Sequence, residues 1–342
     1  MDLFRRIFGK TSEEMPIEKP ADSASNVTEE GGGNELIDPN ATAELSEDPQ
    51  DFDPQTRPVR PAALNSAQDG MTRPLEQADI FELSSVNSGS IVFGQASDVG
   101  LVRSNNQDAV LSFFSASTSV DEYPDFGLFV VADGMGGHQE GEKASAIATR
   151  TIAAHVASSI YMPIISGTAQ ENLPPIGEAL VEGVQKSNKG VMDSVPDGGT
   201  TVTAVAVMND LAYVAHVGDS RAYLMTSEGI EQITRDHSLV QRLIELNQLT
   251  REEAETHPQK NVLYRALGQN ESVEVDTLTR RLPVNSRLLL CSDGLWGQLE
   301  ERDLYEIAFN TSNPQEACDK LVALAKNNGG TDNITIILLK IS

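Results

Sequence analysis

Several residue types that define whole classes of protein are scarce in this chain. Among 342 residues there are two cysteines, Cys291 and Cys318, too few for a disulfide framework or a thiolate zinc site. Lysine and arginine number 25 against 51 aspartates and glutamates, a net charge of −26. A field of that sign repels phosphate backbones, which argues against a nucleic-acid partner. No apolar run approaches the roughly 18 residues that span a bilayer. Residues 1–10 hold Arg5 and Arg6 with no apolar stretch behind them, so no secretory signal is expected. The expectation is a protein of the reducing cytoplasm without a transmembrane segment.

What is present is unevenly spread. Residues 1–88 carry 18 acidic and 7 basic side chains and eight of the 16 prolines, with no Tyr, Trp, His or Cys. Such a segment buries too little apolar area to offset its chain entropy and reads as a disordered, acidic, proline-rich tail. Within it Leu3, Phe4, Ile7 and Phe8 recur at helical spacing between Arg5, Arg6 and Lys10. That pattern could form a weak amphipathic anchor for a membrane surface or a partner groove, the alternative being a frayed terminus.

From residue 89 onward the pattern is that of a folded domain. Strands are expected at Ile91–Ser97, Ala109–Phe114, Gly127–Ala132, Thr201–Met208, Leu211–Val217, Ala222–Met225, Arg287–Ser292 and Ile334–Ile341, where β-branched runs end in turn residues. Helices are expected at Gly141–Ile160, Ile176–Met192, Ser238–Leu246, Glu301–Phe309 and Pro314–Lys326. Hairpins with helices inserted in pairs predict an α+β domain.

Short Asp-Gly motifs stand at the ends of these strands: Asp133-Gly134 after Val130–Ala132, Asp293-Gly294 after Leu288–Ser292, and Gly218-Asp219 at a strand-to-strand turn. Asp332-Asn333 leads into the last strand, and Asn105-Asn106-Gln107-Asp108 follows the first. Hard divalent cations take oxygen ligands, and aspartate at a strand terminus has little positional freedom. Converging carboxylates repel one another unless cations lie between them. Taken singly, each Asp-Gly is an ordinary turn dipeptide. Gly198-Gly199-Thr200-Thr201 could cradle phosphate, yet it lacks the lysine of a P-loop.

In order, the motifs Ser97–Arg103, Asn106-Gln107-Asp108, Val131–Gly137, Gly199-Thr200-Thr201, Val217–Arg221, Thr234–Ser238, Arg265–Gly268, Cys291–Trp296 and Asp332-Asn333 resemble the bacterial metal-dependent protein phosphatases, the type 2C serine/threonine phosphatases. The resemblance covers residues 90–342. It implies a four-layer α-β-β-α sandwich with two central antiparallel sheets flanked by helix pairs. It also implies two core Mn²⁺ or Mg²⁺ ions, bridged by Asp133, with the Gly134 carbonyl as a further ligand. Asp293 and Asp332 would complete the second ion's sphere, and Asp219 with Asp293 would serve a third, weaker site. Asp108 would hold metal-bound water, and Arg103 would grip the substrate phosphate. Hydrolysis would proceed by direct attack of the hydroxide bridging the two ions, without a covalent intermediate, so neither cysteine is a nucleophile.

Two positions depart from relatives. Met135 stands where eukaryotic members carry a histidine general acid, so the leaving group would be protonated by water or another donor; His138 reads as a loop residue. Gln107 stands where some members have glutamate, removing one negative charge. The partners implied are phosphorylated proteins and a serine/threonine kinase, and a monomer is expected. A non-catalytic phosphoprotein-binding relative is the competing reading; it should have lost one of Arg103, Asp133, Asp293 and Asp332, and all four are present.

Overall fold

The computed structural model describes residues 91–116, 123–137, 140–168 and 173–342. The expectations for residues 1–88, the N-terminal anchor among them, and for His138 lie outside these. Two antiparallel sheets form the centre. One has the order β1 (Ile91–Asp98), β11 (Ile334–Ile341), β10 (Arg287–Cys291), β7 (Arg221–Thr226), β8 (Gly229–Gln232). The other runs β2 (Asp108–Ser115), β3 (Phe126–Met135), β5 (Val202–Met208), β6 (Leu211–Val217), β9 (Asp276–Arg281), with the short β4 (Gly199–Thr200) paired to the end of β3.

Period-two alternation explains the layering. Phe129, Val131, Val205, Val207, Ala212 and Val214 of one sheet face Leu288, Leu290, Ile337, Leu339 and Ala222 of the other, all buried. Their sequence neighbours point outward. Leu128, Val130, Ala204, Ala206 and Ala215 pack against the helices Glu140–Val156 and Ile176–Ser194. Leu289, Cys291, Ile336, Leu338 and Tyr223 pack against Glu301–Asn310 and Pro314–Asn327. The strands are therefore apolar on both faces, as sheets covered on both sides must be. The expected α-β-β-α sandwich is the one observed.

The helix Pro314–Asn327 starts as its sequence announces, with the Asn313 side chain accepting from the Gln315 and Glu316 amides and proline in the first turn. Three expectations need correction. The strand placed at Gly127–Ala132 runs on to Met135, so Asp133-Gly134 lies inside a strand and is no turn. The strands Gly229–Gln232 and Asp276–Arg281 were not expected; both are sheet edges, and their polar sequences (GIEQ, DTLTRR) lack an apolar stripe. The helix beginning near Gly141 ends at Val156 and continues through a π-helical turn, Ala157–Tyr161.

Candidate metal centre

Strand register brings the carboxylates to one end of the sandwich. Asp108 and Asp133 are direct cross-strand partners in β2 and β3. In the other sheet Cys291, the last residue of β10, pairs with Ile336 near the start of β11 and with Arg221, the first residue of β7. Asp293 follows that end of β10, Asp332 precedes β11 and Asp219 precedes β7. Because β6 and β7 belong to different sheets, the Gly218–Ser220 turn crosses between the layers at this same end.

Asp133 is held through its backbone, and Asp108 and Asp332 through their carboxylates. The Asp133 amide donates to the Thr201 hydroxyl at 3.0 Å, and its carbonyl accepts from the Thr201 amide and the Thr200 hydroxyl, both at 2.9 Å. Gly199-Thr200-Thr201 thus spends its hydroxyls on the Asp133 backbone, and the phosphate cradle weighed for it is not what it forms. Gly134 has no room for a side chain: a Cβ there would lie 2.1 Å from the Gly141 carbonyl oxygen and 2.5 Å from that of Gln107. The Ser292 hydroxyl donates to Asp108 Oδ2 at 2.7 Å. Arg103, with its side chain half exposed, donates from Nη2 to Asp332 Oδ2 at 2.7 Å.

Sequence reasoning assigned no role to Asn333, which staples this end together. Its Oδ1 accepts from the Gln107 amide at 2.8 Å, and its Nδ2 donates to the carbonyls of Val99 and Asn105 at 2.9 and 3.0 Å. The loop bearing Arg103 is thereby fixed against the strand start bearing Asp332. The place of Asn333 beside Asp332 in the Asp332-Asn333 motif was its signal in the sequence.

Between Asp236 and Gly268 lie two short helices, Leu239–Glu245 and Arg251–Glu255. This segment is tied to the Asp219 turn at His237, whose amide donates to the Gly218 carbonyl at 2.7 Å while its Nδ1 accepts from the Gly218 amide at 3.0 Å.

Burial and mutual repulsion raise the acids. Desolvation first, then the charges of Asp293 and Asp332, push Asp108 up to about 7, against the hydrogen bonds it accepts. Desolvation, Asp293 and Asp236 push Asp219 up to about 8. Asp293 rises to about 6 through desolvation and Asp332. Asp133 rises well above the ordinary carboxylate range through desolvation and the charges of Asp108, Asp293, Asp219 and Asp332. Asp108 Oδ1 and Asp293 Oδ1 are sealed from solvent without a hydrogen-bond partner. Among the described residues no three His, Cys, Asp or Glu side chains are already drawn into a ligand cage, and Arg103 holds one oxygen of Asp332. The donor set is nevertheless all oxygen, anionic and short of positive charge at its centre, which suits a hard divalent cation.

The architecture is a two-sheet sandwich with paired helices outside and five aspartates at one end of its sheets. The sequence pattern of the family described as Protein phosphatase 2C matches residues 102–326. The serine/threonine phosphatase stp of Listeria innocua is 35% identical over 246 residues, covering 71% of this chain and 93% of that protein. Among solved structures, the S. agalactiae serine/threonine phosphatase superposes with a TM-score of 0.63 at 31% identity, covering 74% of this chain and all of that one. The catalytic domain of the phosphatase PstP, solved in complex with two manganese ions, gives 0.60 at 29% identity and covers 74% of this chain and 99% of that one. This chain belongs to the protein phosphatase 2C family, the metal-dependent serine/threonine phosphatases, and is an enzyme using Mn²⁺ or Mg²⁺. No described helix is long and apolar enough to cross a membrane.

Proposed function

We propose that the chain hydrolyses phosphoserine and phosphothreonine in proteins at a two-metal centre, reversing the action of a serine/threonine kinase in the cytoplasm. Residues 89–342 form the phosphatase domain in this reading and residues 1–88 an appended tail. The observation that carries it is the meeting of Asp108, Asp133, Asp219, Asp293 and Asp332 at one end of the sandwich, with buried, unpartnered oxygens on Asp108 and Asp293 and the Arg103 guanidinium under the charges of Asp332, Asp293 and Asp133.

Asp133, with the Gly134 carbonyl, Asp293 and Asp332, would hold the two core ions, and Asp219 with Asp293 a third. Bound there, such ions make water nucleophilic near neutral pH and neutralise phosphoryl oxygens. The remaining work falls to the protein. Asp108, anchored at one oxygen by Ser292, keeps its other oxygen free to orient water by hydrogen bonding. Arg103 leaves Asp332 to take two phosphate oxygens with its planar fork, setting the phosphorus in line for attack. Met135 has no proton to give, so the departing alkoxide takes its proton from water or another donor.

The test is Asp133→Asn and Asp293→Asn, assayed for Mn²⁺-dependent hydrolysis of p-nitrophenyl phosphate and a phosphothreonine peptide. Both variants should fold, because amide replaces acid at a site where the folded protein already disfavours the charge, and both should lose activity. Hydrolysis at the parental rate in either variant contradicts the assignment.

A further inference from the structure

The chain has a single tryptophan, and the chemistry above gives it no part. Trp296 closes the one-turn helix that Asp293 opens. Its indole Nε1–H donates to the Asp219 carbonyl at 3.0 Å, joining segments 77 residues apart. The ring cannot swing away freely, since the Arg221 guanidinium lies 3.5 Å from its centroid. Arg221 is itself fixed: Nε reaches both Asp236 oxygens at 3.1 Å, Nη2 reaches Oδ2 at 2.7 Å, and Nη1 donates to the Tyr223 hydroxyl at 3.0 Å.

A single helical turn has little rigidity of its own. Asp293–Trp296 has a Leu295 amide to Ser292 carbonyl bond of 3.2 Å and a Gly297 amide to Asp293 carbonyl bond of 2.8 Å. The pairing of Cys291 with Arg221 and the packing of Gly294 on Asn333 place the helix, and the indole adds the direct bond from it to the Asp219 turn.

We propose that Trp296 is a positioning residue: by clamping the Asp219 carbonyl to the Asp293 helix, it sets the spacing of the two carboxylates that share the third, weaker cation. This deepens the metal-centre reading and rests on it. Asp219 and Asp293 repel one another at close quarters, so a cation that binds between them gains affinity from any strut that has already drawn them together. Asp293, which the core ions also use, is held separately by the packing of Gly294 on Asn333, so loss of the strut releases the Asp219 side of the pair. Because the indole bonds the turn carrying one ligand and shares a helix with the other, its emission also reports the ion's arrival.

The experiment uses the full chain with MgCl₂ and MnCl₂ as probes. All tryptophan emission arises from position 296, and diamagnetic Mg²⁺ separates a structural response from paramagnetic quenching. Emission should change with the midpoint of the weakest binding step seen by calorimetry, and Asp219→Asn should remove that fluorescence step while the tighter steps persist. Trp296→Phe keeps a ring beneath Arg221 but removes the N–H; it should weaken the weakest Mn²⁺ step about five-fold, the worth of one hydrogen bond, and spare the tighter ones. A Trp296→Phe protein with an unmoved weak step, or wild-type emission indifferent to that step, overturns this inference alone. Should Trp296→Phe fail to fold in a thermal melt, the comparison of wild type with Asp219→Asn still decides. Absence of every Mn²⁺ step would overturn the metal-centre reading, and this one with it.

Discussion

Adding one methyl group at Gly294 should disable the enzyme without touching a carboxylate. A Cβ there would sit 2.0 Å from the Asn333 carbonyl oxygen and 2.9 Å from its carbonyl carbon. Non-bonded heavy atoms settle near 3.5 Å, so the two backbones must part by about 1 Å or more. Neither yields easily. Asn333 is held through its side chain to Gln107, Val99 and Asn105, and its amide donates to Asp332 Oδ1 at 2.9 Å. The segments forced apart carry Asp293 and Asp332, which the proposed site uses together. Overpacking of this kind costs about 1–3 kcal/mol of stability, and a displacement of about 1 Å at a reacting centre costs about 100-fold in rate. Gly294→Ala should therefore remain folded with a lowered melting temperature and lose about two orders of magnitude in kcat/KM for p-nitrophenyl phosphate at saturating Mn²⁺. Parental activity with an unchanged melting temperature would refute the reasoning, because it would mean that the close approach of these backbones does not fix the ligand spacing.

Arg103→Ala should raise KM for phosphopeptides about 10- to 100-fold, the worth of charge-assisted hydrogen bonds to phosphate. Its melting temperature should scarcely move, since the side chain is half exposed and its ion pair with Asp332 is screened; an unchanged KM in steady-state kinetics would count against the clamp. Stability of the metal-free enzyme should fall as pH rises. Asp108 and Asp219 titrate near 7 and 8 in the folded chain against about 4 when unfolded. Between those values the folded state holds protons that the unfolded state has released, so the pH slope of the unfolding free energy is negative. In chelator the melting temperature should drop from about pH 5 to about pH 8, Mn²⁺ should abolish the drop by replacing the protons, and Asp219→Asn should flatten its upper part. A metal-free melting temperature that climbs through this window in scanning fluorimetry would contradict the burial of these acids.

Most of the fold was legible because β10, β11, β5 and β6 are apolar runs bounded by turn residues, and because two sheets covered on both faces need such strands. The edge strands Gly229–Gln232 and Asp276–Arg281 were not, since an edge pairs through its backbone and leaves no apolar stripe to read. Asp133 looked like a turn residue for a related reason. Asp-Gly normally closes a strand, and only pairing with Asp108 on one side and with Gly199-Thr200 beyond it continues this one through the motif. Asn333 and Trp296 carried no legible role, their partners lying 226 and 77 residues away.

The amino-acid sequence by itself determined which acids the proposed site draws on and that they stand at or near strand termini, because residue type and hydrophobic period are local properties. Only the tertiary structure decided that these termini belong to the same end of the molecule. Cross-strand register and the crossing of the Gly218–Ser220 turn between sheets set that, and both arise from pairings between distant stretches of chain. The raised affinity of the acids for protons is likewise tertiary, since it comes from shared burial and mutual repulsion that no single aspartate possesses alone.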